Sequence, residues 1–277
     1  MAQSVSTAFV TLFESEVKQA YQAEAILRGT MRTRTGVQGN TVKFPKIGKG
    51  VATVRVPQSD VTPLNVTYSQ VTATMSDYIA AEYSDVFQQS HINFDERREL
   101  VEVVSKAIAR RMDQICIDAL NAASSPSTVA TSVGGAASNM NIDKLRAAAK
   151  AMNENNVPSE GRYLLMHASQ LDSLLGETET TSSDFATVKA LVRGEISTFM
   201  GFQFITIGDR DEGGLPKPST RSCFAWHKDS MGYAESMAMK TEVNYVPEKT
   251  SFLVSSMFSA GAVAIDDEGI VKISCTE

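Results

Sequence analysis

The chain has 277 residues, 43% hydrophobic and 21% charged, enough to bury a sizeable core in one large domain or two modest ones. A formal net charge of -6 argues against a general nucleic-acid binder, and no apolar run approaches the ~20 residues of a membrane helix. Three widely spaced cysteines, Cys116, Cys223 and Cys275, read as reduced thiols, and no basic segment followed by an apolar core marks a secretory signal.

Residues 4–27 carry Phe9, Phe13, Val17 and Tyr21 at four-residue spacing, which predicts a short amphipathic helix or an arm that docks its apolar face. Gly29, Gly36 and Gly39 end that pattern. Thr41 to Ile47 reads as a strand, and Pro45 confines it to an edge or an isolated ribbon. Gly48-Lys49-Gly50 is a turn signal, so Val51 to Val56 reads as the returning strand. Such a two-stranded hairpin has only Phe44, Ile47 and Leu64 to bury and is marginal alone. Its basic, Gly-rich tip favours projection onto a neighbour. Asn65 to Tyr83 continues in strand chemistry.

A long helix is predicted over 93–123. Leu100, Val104, Ile108, Met112, Ile115 and Ala119 recur on one face, widened by Val101 and Ala107. Asn93 is the expected N-cap, and Asp95, Glu96 and Glu99 put negative charge where the helix dipole favours it. Asn121 and Ser124 to Pro126 mark the end, giving a rod roughly 40 Å long. The soft stretch 124–139 reads as a linker or short hairpin. A helix opened by Asn141 follows, with Ile142, Leu145, Ala149 and Met152 on one face. Arg162 to His167 reads as a buried strand, and Ser169 to Leu175 as a short helix. Asp184 to Val192, capped by Ser183, reads as another. Turn and strand over 196–208, a Gly/Pro-rich loop, and a buried strand Cys223 to His227 complete an alternating α and β region. Met239 to Val246, Phe252 to Ile265 and Ile270 to Ser274 are predicted strands, the last two joined by a turn at Asp266 to Gly269.

Charge is unevenly spread. Between Ala25 and Ser59 there is no acid, yet Arg28, Arg32, Arg34, Lys43, Lys46, Lys49 and Arg55 fall there. Between Asp77 and Glu102 the acids Asp77, Glu82, Asp85, Asp95, Glu96, Glu99 and Glu102 face only Arg97 and Arg98. These are either two solvated faces or complementary surfaces that meet between subunits.

The residues that carry chemistry elsewhere are thin here. His91, His167 and His227 lack zinc spacing. His227 reads as a strand-end packing residue. His167 has Ser169 two positions on, but no nucleophile elbow surrounds it. The Gly48-Lys49-Gly50 run lacks the other residues of a phosphate-binding loop. Asp209 to Gly213 hints at a calcium loop, but Ser219 stands where the bidentate Glu belongs, so a surface turn is the better reading. The twelve methionines read as core filler. No catalytic residue, cofactor or metal is expected.

Several stretches in this order resemble tailed-bacteriophage major capsid proteins of the Hong Kong 97 type, closest to the compact capsid proteins of short-tailed phages. They are Leu27 to Thr30, Gly39 to Thr53, Asp60 to Pro63, Leu164 to His167, Val243 to Ser251 and Met257 to Val263. The resemblance implies an α+β fold with an N-terminal arm (1–38), an extended loop and first peripheral strand (39–88), and a spine helix (89–123). An axial domain (124–238) and return strands of the peripheral domain (239–277) follow. It implies pentamers and hexamers of an icosahedral shell enclosing double-stranded DNA, in the virion capsid, assembled in the host bacterial cytoplasm. Implied partners are copies of the chain, a separate scaffolding protein, a portal and, as a candidate, a decoration protein, with no membrane. Some relatives crosslink a loop lysine to an asparagine; Lys43, Lys46 and Lys49 lie in the loop, but no acceptor is matched. The basic face Arg28 to Arg55 is expected to dock on Asp95, Glu96, Glu99 and Glu102 of an adjacent subunit. Rival readings are an encapsulin cage of the same fold, a hydrolase using His167 or His227, and a tail-tube protein, which would lack the long helix.

Overall fold

The computed structural model of the chain describes residues 25–58, 60, 61, 63–91, 95–176, 198–210 and 212–277. In chain order these form β1 (Arg32–Arg34), β2 (Thr41–Ile47), β3 (Tyr68–Thr74), β4 (Ser76–Asp85), α1 (Val86–His91) and α2 (Glu96–Asn121). There follow β5 (Ser127–Val129), α3 (Ile142–Glu154), β6 (Arg162–His167), α4 (Ala168–Gly176), β7 (Thr198–Phe199) and β8 (Phe202–Ile207). The chain closes with β9 (Arg221–His227), β10 (Met231–Val246), β11 (Ser251–Ala264) and β12 (Ile270–Cys275). The arm residues Phe9, Phe13, Val17 and Tyr21, the cap at Asn93 and the helix expected over 184–192 lie outside the described residues.

Contacts divide the chain into two compact units, and α2, β10 and β11 each contribute to both. The first unit holds residues 77–109 and 239–258. Its strands follow the order β10-β11-β4. Pro247 starts the turn from β10 to β11, and Thr250 ends it in the left-handed region at φ 48°. The Thr241 and Ser256 hydroxyls pair across that hairpin. Tyr78 stacks on Phe258 and Tyr245 packs on Phe252, each with ring centroids 5.2 Å apart, the cross-strand aromatic contacts that stabilise antiparallel pairs.

The second unit holds residues 25–76, 110–238 and 259–277. Its six-stranded sheet runs β5-β12-β9-β6-β8-β7. β9 is antiparallel to β12 and β6, while β6 and β8 are parallel. The central strands β6 and β9 are buried almost throughout, as their apolar runs require. Leu164, Leu165, Met166, Phe202, Phe224 and Trp226 are fully enclosed. Each such side chain contributes about 1.5–3 kcal/mol by leaving water. α3 starts as its sequence predicts: the Asn141 side chain accepts the Lys144 amide at 2.8 Å. Leu145, Ala148 and Met152 are its buried face, with Ala148 in the place expected of Ala149.

α2 is 26 residues long, about 39 Å, and buries Val104, Ile108, Met112, Ile115 and Ala119 as the periodicity predicts. Leu100 is only half-buried.

The expected hairpin is corrected. β2 pairs not with Val51 to Val56 but with β3, in an isolated antiparallel ribbon with Phe44 opposite Val71 and Pro45 opposite Gln70. The reason is side-chain facing. Val42, Phe44, Ala73 and Met75 all turn to one apolar cluster completed by Ala234 and Ile265. Residues 51–56 have no such common face, and Val51 and Val54 remain 81% and 93% exposed.

Candidate assembly surfaces

The seven basic residues of 25–59 do not form one free face. Lys46 Nζ lies 2.7 Å from Asp266 Oδ1, and Lys49 Nζ lies 2.5 Å from Glu268 Oε2. Arg28 Nη2 lies 2.6 Å from the carboxylate of Glu235, a residue fully buried in β10. Arg32, Arg34, Lys43 and Arg55 are exposed. Their neighbours in the loop are apolar: Val56, Val61 and Leu64 are also exposed.

The acidic stretch at the start of α2 is partly engaged within the first unit. Glu96 accepts the Ser84 hydroxyl at 2.6 Å, and its amide donates to Gln89. Glu102 pairs with Lys106 one turn on, at 2.5 Å. Asp95 lies 3.6 Å from Arg97 Nε, whose guanidinium covers the Phe252 ring. Glu99 is half-buried.

A second polar centre was not foreseen. Asp113, fully buried on α2, accepts the amides of Ile26 and Leu27 at 3.0 and 3.1 Å and faces Arg210 at 3.1 Å. Burial pushes its carboxyl above the usual range, against those three donors. Trp226 Nε1 donates to the Thr30 carbonyl at 3.1 Å, so the segment entering β1 is tied at two points. The sequence signal was available: an acid flanked by Met112, Ile115, Cys116 and Ile117 is either strained or partnered.

A third centre gathers around Glu277. Its carboxylate accepts from Arg221, Lys217 and Gln170. Burial opposes its ionisation, but those donors outweigh burial and hold the carboxyl down to about 2. His167 lies between Glu277, at 3.5 Å, and Asp209, at 3.3 Å. Its contact with Ser169 is through the backbone amide, which donates to Nδ1 at 3.2 Å, not through the hydroxyl. His227 Nδ1 accepts the Asp229 amide in the same way. Both histidines stand at strand ends, each with Nδ1 accepting the amide two residues on. In the Asp209 to Gly213 turn, Asp209 pairs with Arg221, and Glu212 pairs with Arg111 at 3.1 Å. Each of those carboxylates is thus engaged by an arginine, and Asp211 lies outside the described residues. Among the described residues no group of three or more His, Cys, Asp or Glu side chains could hold a metal ion.

Cys116, Cys223 and Cys275 are free and buried. Burial pushes the Cys116 thiol up. Lys144, fully enclosed, donates to the carbonyls of Ser138 and Ser274 at 2.6 and 2.9 Å, and burial lowers its ammonium from the usual range.

A family model described as phage capsid protein matches residues 5–277. Solved phage structures share the fold. The capsid of the cyanophage P-SCSP1u superposes with a TM-score of 0.79 at 16% identity, covering 100% of this chain and 96% of that one. The head of Helicobacter pylori bacteriophage KHP40 gives 0.76 at 11% identity, covering 98% of both chains. Mycobacterium phage Che8 gives 0.73 at 15% identity, covering 95% of both. No curated protein matches the sequence.

Proposed function

Because the chain belongs to the phage capsid protein family, we propose that it is the repeated tile of an icosahedral head, gathered in pentamers and hexamers around double-stranded DNA. Its coarse role is that of a major capsid protein: a structural shell subunit that assembles with copies of itself and resides in the virion capsid. The family match over nearly the whole chain carries this reading. Assembly takes place in the host bacterial cytoplasm, with a separate scaffolding protein and a portal as partners and a decoration protein as a candidate partner. The chain performs no catalysis. Its work is mechanical, done by interfaces repeated around the shell.

The parts take the roles of the Hong Kong 97-type fold. Residues 1–38 are the arm, 39–88 the extended loop and first peripheral strand, and 89–123 the spine helix. Residues 124–238 are the axial domain, and 239–277 return to the peripheral sheet. The arm docks through Phe9, Phe13, Val17 and Tyr21. Asp95, Glu96, Glu99 and Glu102 receive the basic face of an adjacent subunit. Lys46, Lys49 and Arg28 already hold carboxylates of their own chain, so the exposed Arg32, Arg34, Lys43 and Arg55 carry most of that docking. Such pairs are worth ~0–1 kcal/mol each and serve register and partner choice more than affinity.

Electron microscopy of the purified protein tests the proposal. Uniform hollow shells are the expected result; a compact monomer under all conditions, with and without a scaffolding protein, overturns it.

A further inference from the structure

The loop between β2 and β3 is held at its root by a turn far away in sequence. Lys46, the next-to-last residue of β2, reaches Asp266, and Lys49, two residues beyond β2, reaches Glu268. The intervening Gly48 closes the loop base: its amide donates to the Thr67 carbonyl at 2.8 Å, and a Cβ there would meet the Thr67 hydroxyl at 2.5 Å. Beyond this base, residues 51–56 and 63–67 form no regular secondary structure, and Val51, Val54 and Val56 face solvent.

The turn that holds the lysines is itself anchored on three sides. The Ile265 and Asp266 amides donate to the Ser230 carbonyl at 2.8 and 3.2 Å. Asp267 accepts the Ser125 amide at 3.0 Å, just after α2. Asn155, at the end of α3, donates to the Glu268 carbonyl at 2.9 Å. Asp266 also accepts the Glu268 amide, which sets the spacing of the two carboxylates. A fixed acidic platform thus meets a pair of lysines where the loop leaves β2.

We propose that Asp266 and Glu268 form a latch within the chain: by holding Lys46 and Lys49 they set the pose of the described loop residues 48–58 and 63–67 and withhold those lysines from a neighbouring copy. Both pairs are solvent-accessible, with Lys49 at 75% side-chain exposure, so salt weakens them and a better partner can replace them. The consequence for assembly rests on the capsid reading above; the latch itself does not. Trading the intrachain carboxylates for those of an adjacent subunit would let the loop move only when a neighbour is present.

The test is limited trypsin digestion of the full chain, following cleavage after Arg55 by mass spectrometry. Asp266→Asn with Glu268→Gln leaves the loop sequence untouched and keeps an acceptor for the Glu268 amide. This variant is expected to be cleaved faster, roughly two- to fivefold for each pair lost. Raising salt should accelerate cleavage of the wild-type chain and leave the variant unchanged. Lys46→Glu with Asp266→Lys, which keeps a reversed pair, should restore protection and guards against a folding defect in the neutral variant. Equal cleavage of wild type and variant, or the same salt response in both, overturns the latch. So does protection that disappears on dilution, because the contact would then lie between copies. These readouts need no shells, so failure of the latch and failure of the capsid reading are separable.

Discussion

The Asp113 carboxylate accepts the Leu27 amide at 3.1 Å across 86 positions of sequence. This one contact places the start of the described chain against the middle of the long helix. It also explains why a buried acid is kept: the same carboxylate takes the Ile26 amide and the Arg210 guanidinium. Asp113→Ala leaves Arg210, itself largely buried, without its partner and strands two amides. A loss of about 3–5 kcal/mol is expected, read as urea or thermal unfolding. Asp113→Asn retains one acceptor oxygen and should cost less, about 1–3 kcal/mol. The pH sign also follows. The folded carboxyl sits above its unfolded value, so at pH values above that raised pKa its ionisation costs stability, and the cost is relieved as pH falls through it. Asp113→Asn should abolish that relief. Equal stability of all three proteins would refute the anchor.

Glu277 predicts the opposite pH behaviour. Its folded pKa is held down to about 2, below the usual carboxylate range, so its contribution is complete above the unfolded value and is lost as pH falls through the folded one. Glu277→Gln should lower the melting temperature by several degrees at pH 7 and by little at pH 2, flattening the acid limb of the profile. A wild-type and variant profile that stay parallel from pH 7 to pH 2 would reject the role.

Gly261 sits within β11 where a Cβ would lie 2.1 Å from the Thr74 carbonyl oxygen. The contact is with backbone, so no rotamer change relieves it. Gly261→Ala should cost about 1–3 kcal/mol and shift the end of β3, seen as faster amide exchange at Ala73 to Met75. An unchanged unfolding midpoint would show that the strand end moves aside freely.

The inter-subunit docking has its own test. Glu99→Lys with Glu102→Lys should slow shell assembly, followed by light scattering, and reverse its salt dependence. Reversing Arg32, Arg34, Lys43 and Arg55 in the same chain should recover part of the rate. Assembly that is unchanged by the acidic reversal at every salt concentration would sink the proposed contact.

Much of the fold was legible because it rests on local pattern. The 3.6-residue apolar stripe of α2, the Asn141 cap of α3 and the apolar runs of β6 and β9 each depend on residues close in sequence. The ribbon partner was not legible. Val51 to Val56 has good strand chemistry and follows a turn signal, but β3 wins the pairing because Phe44 and Val42 share one buried apolar cluster with Ala73 and Met75. The charges were the hardest to read. Lys46 and Lys49 looked free until Asp266 and Glu268 arrived beside them, about 220 positions away.

By itself the sequence determined the class of elements, their order, the long helix and the resemblance to capsid proteins, since periodicity, caps and motifs are short-range properties. Only the tertiary structure decided which strand completes the ribbon, which charges are spent inside the chain and which stay exposed. A charge at a distant position acts only once folding has brought it within a few ångströms, and no local pattern encodes that approach.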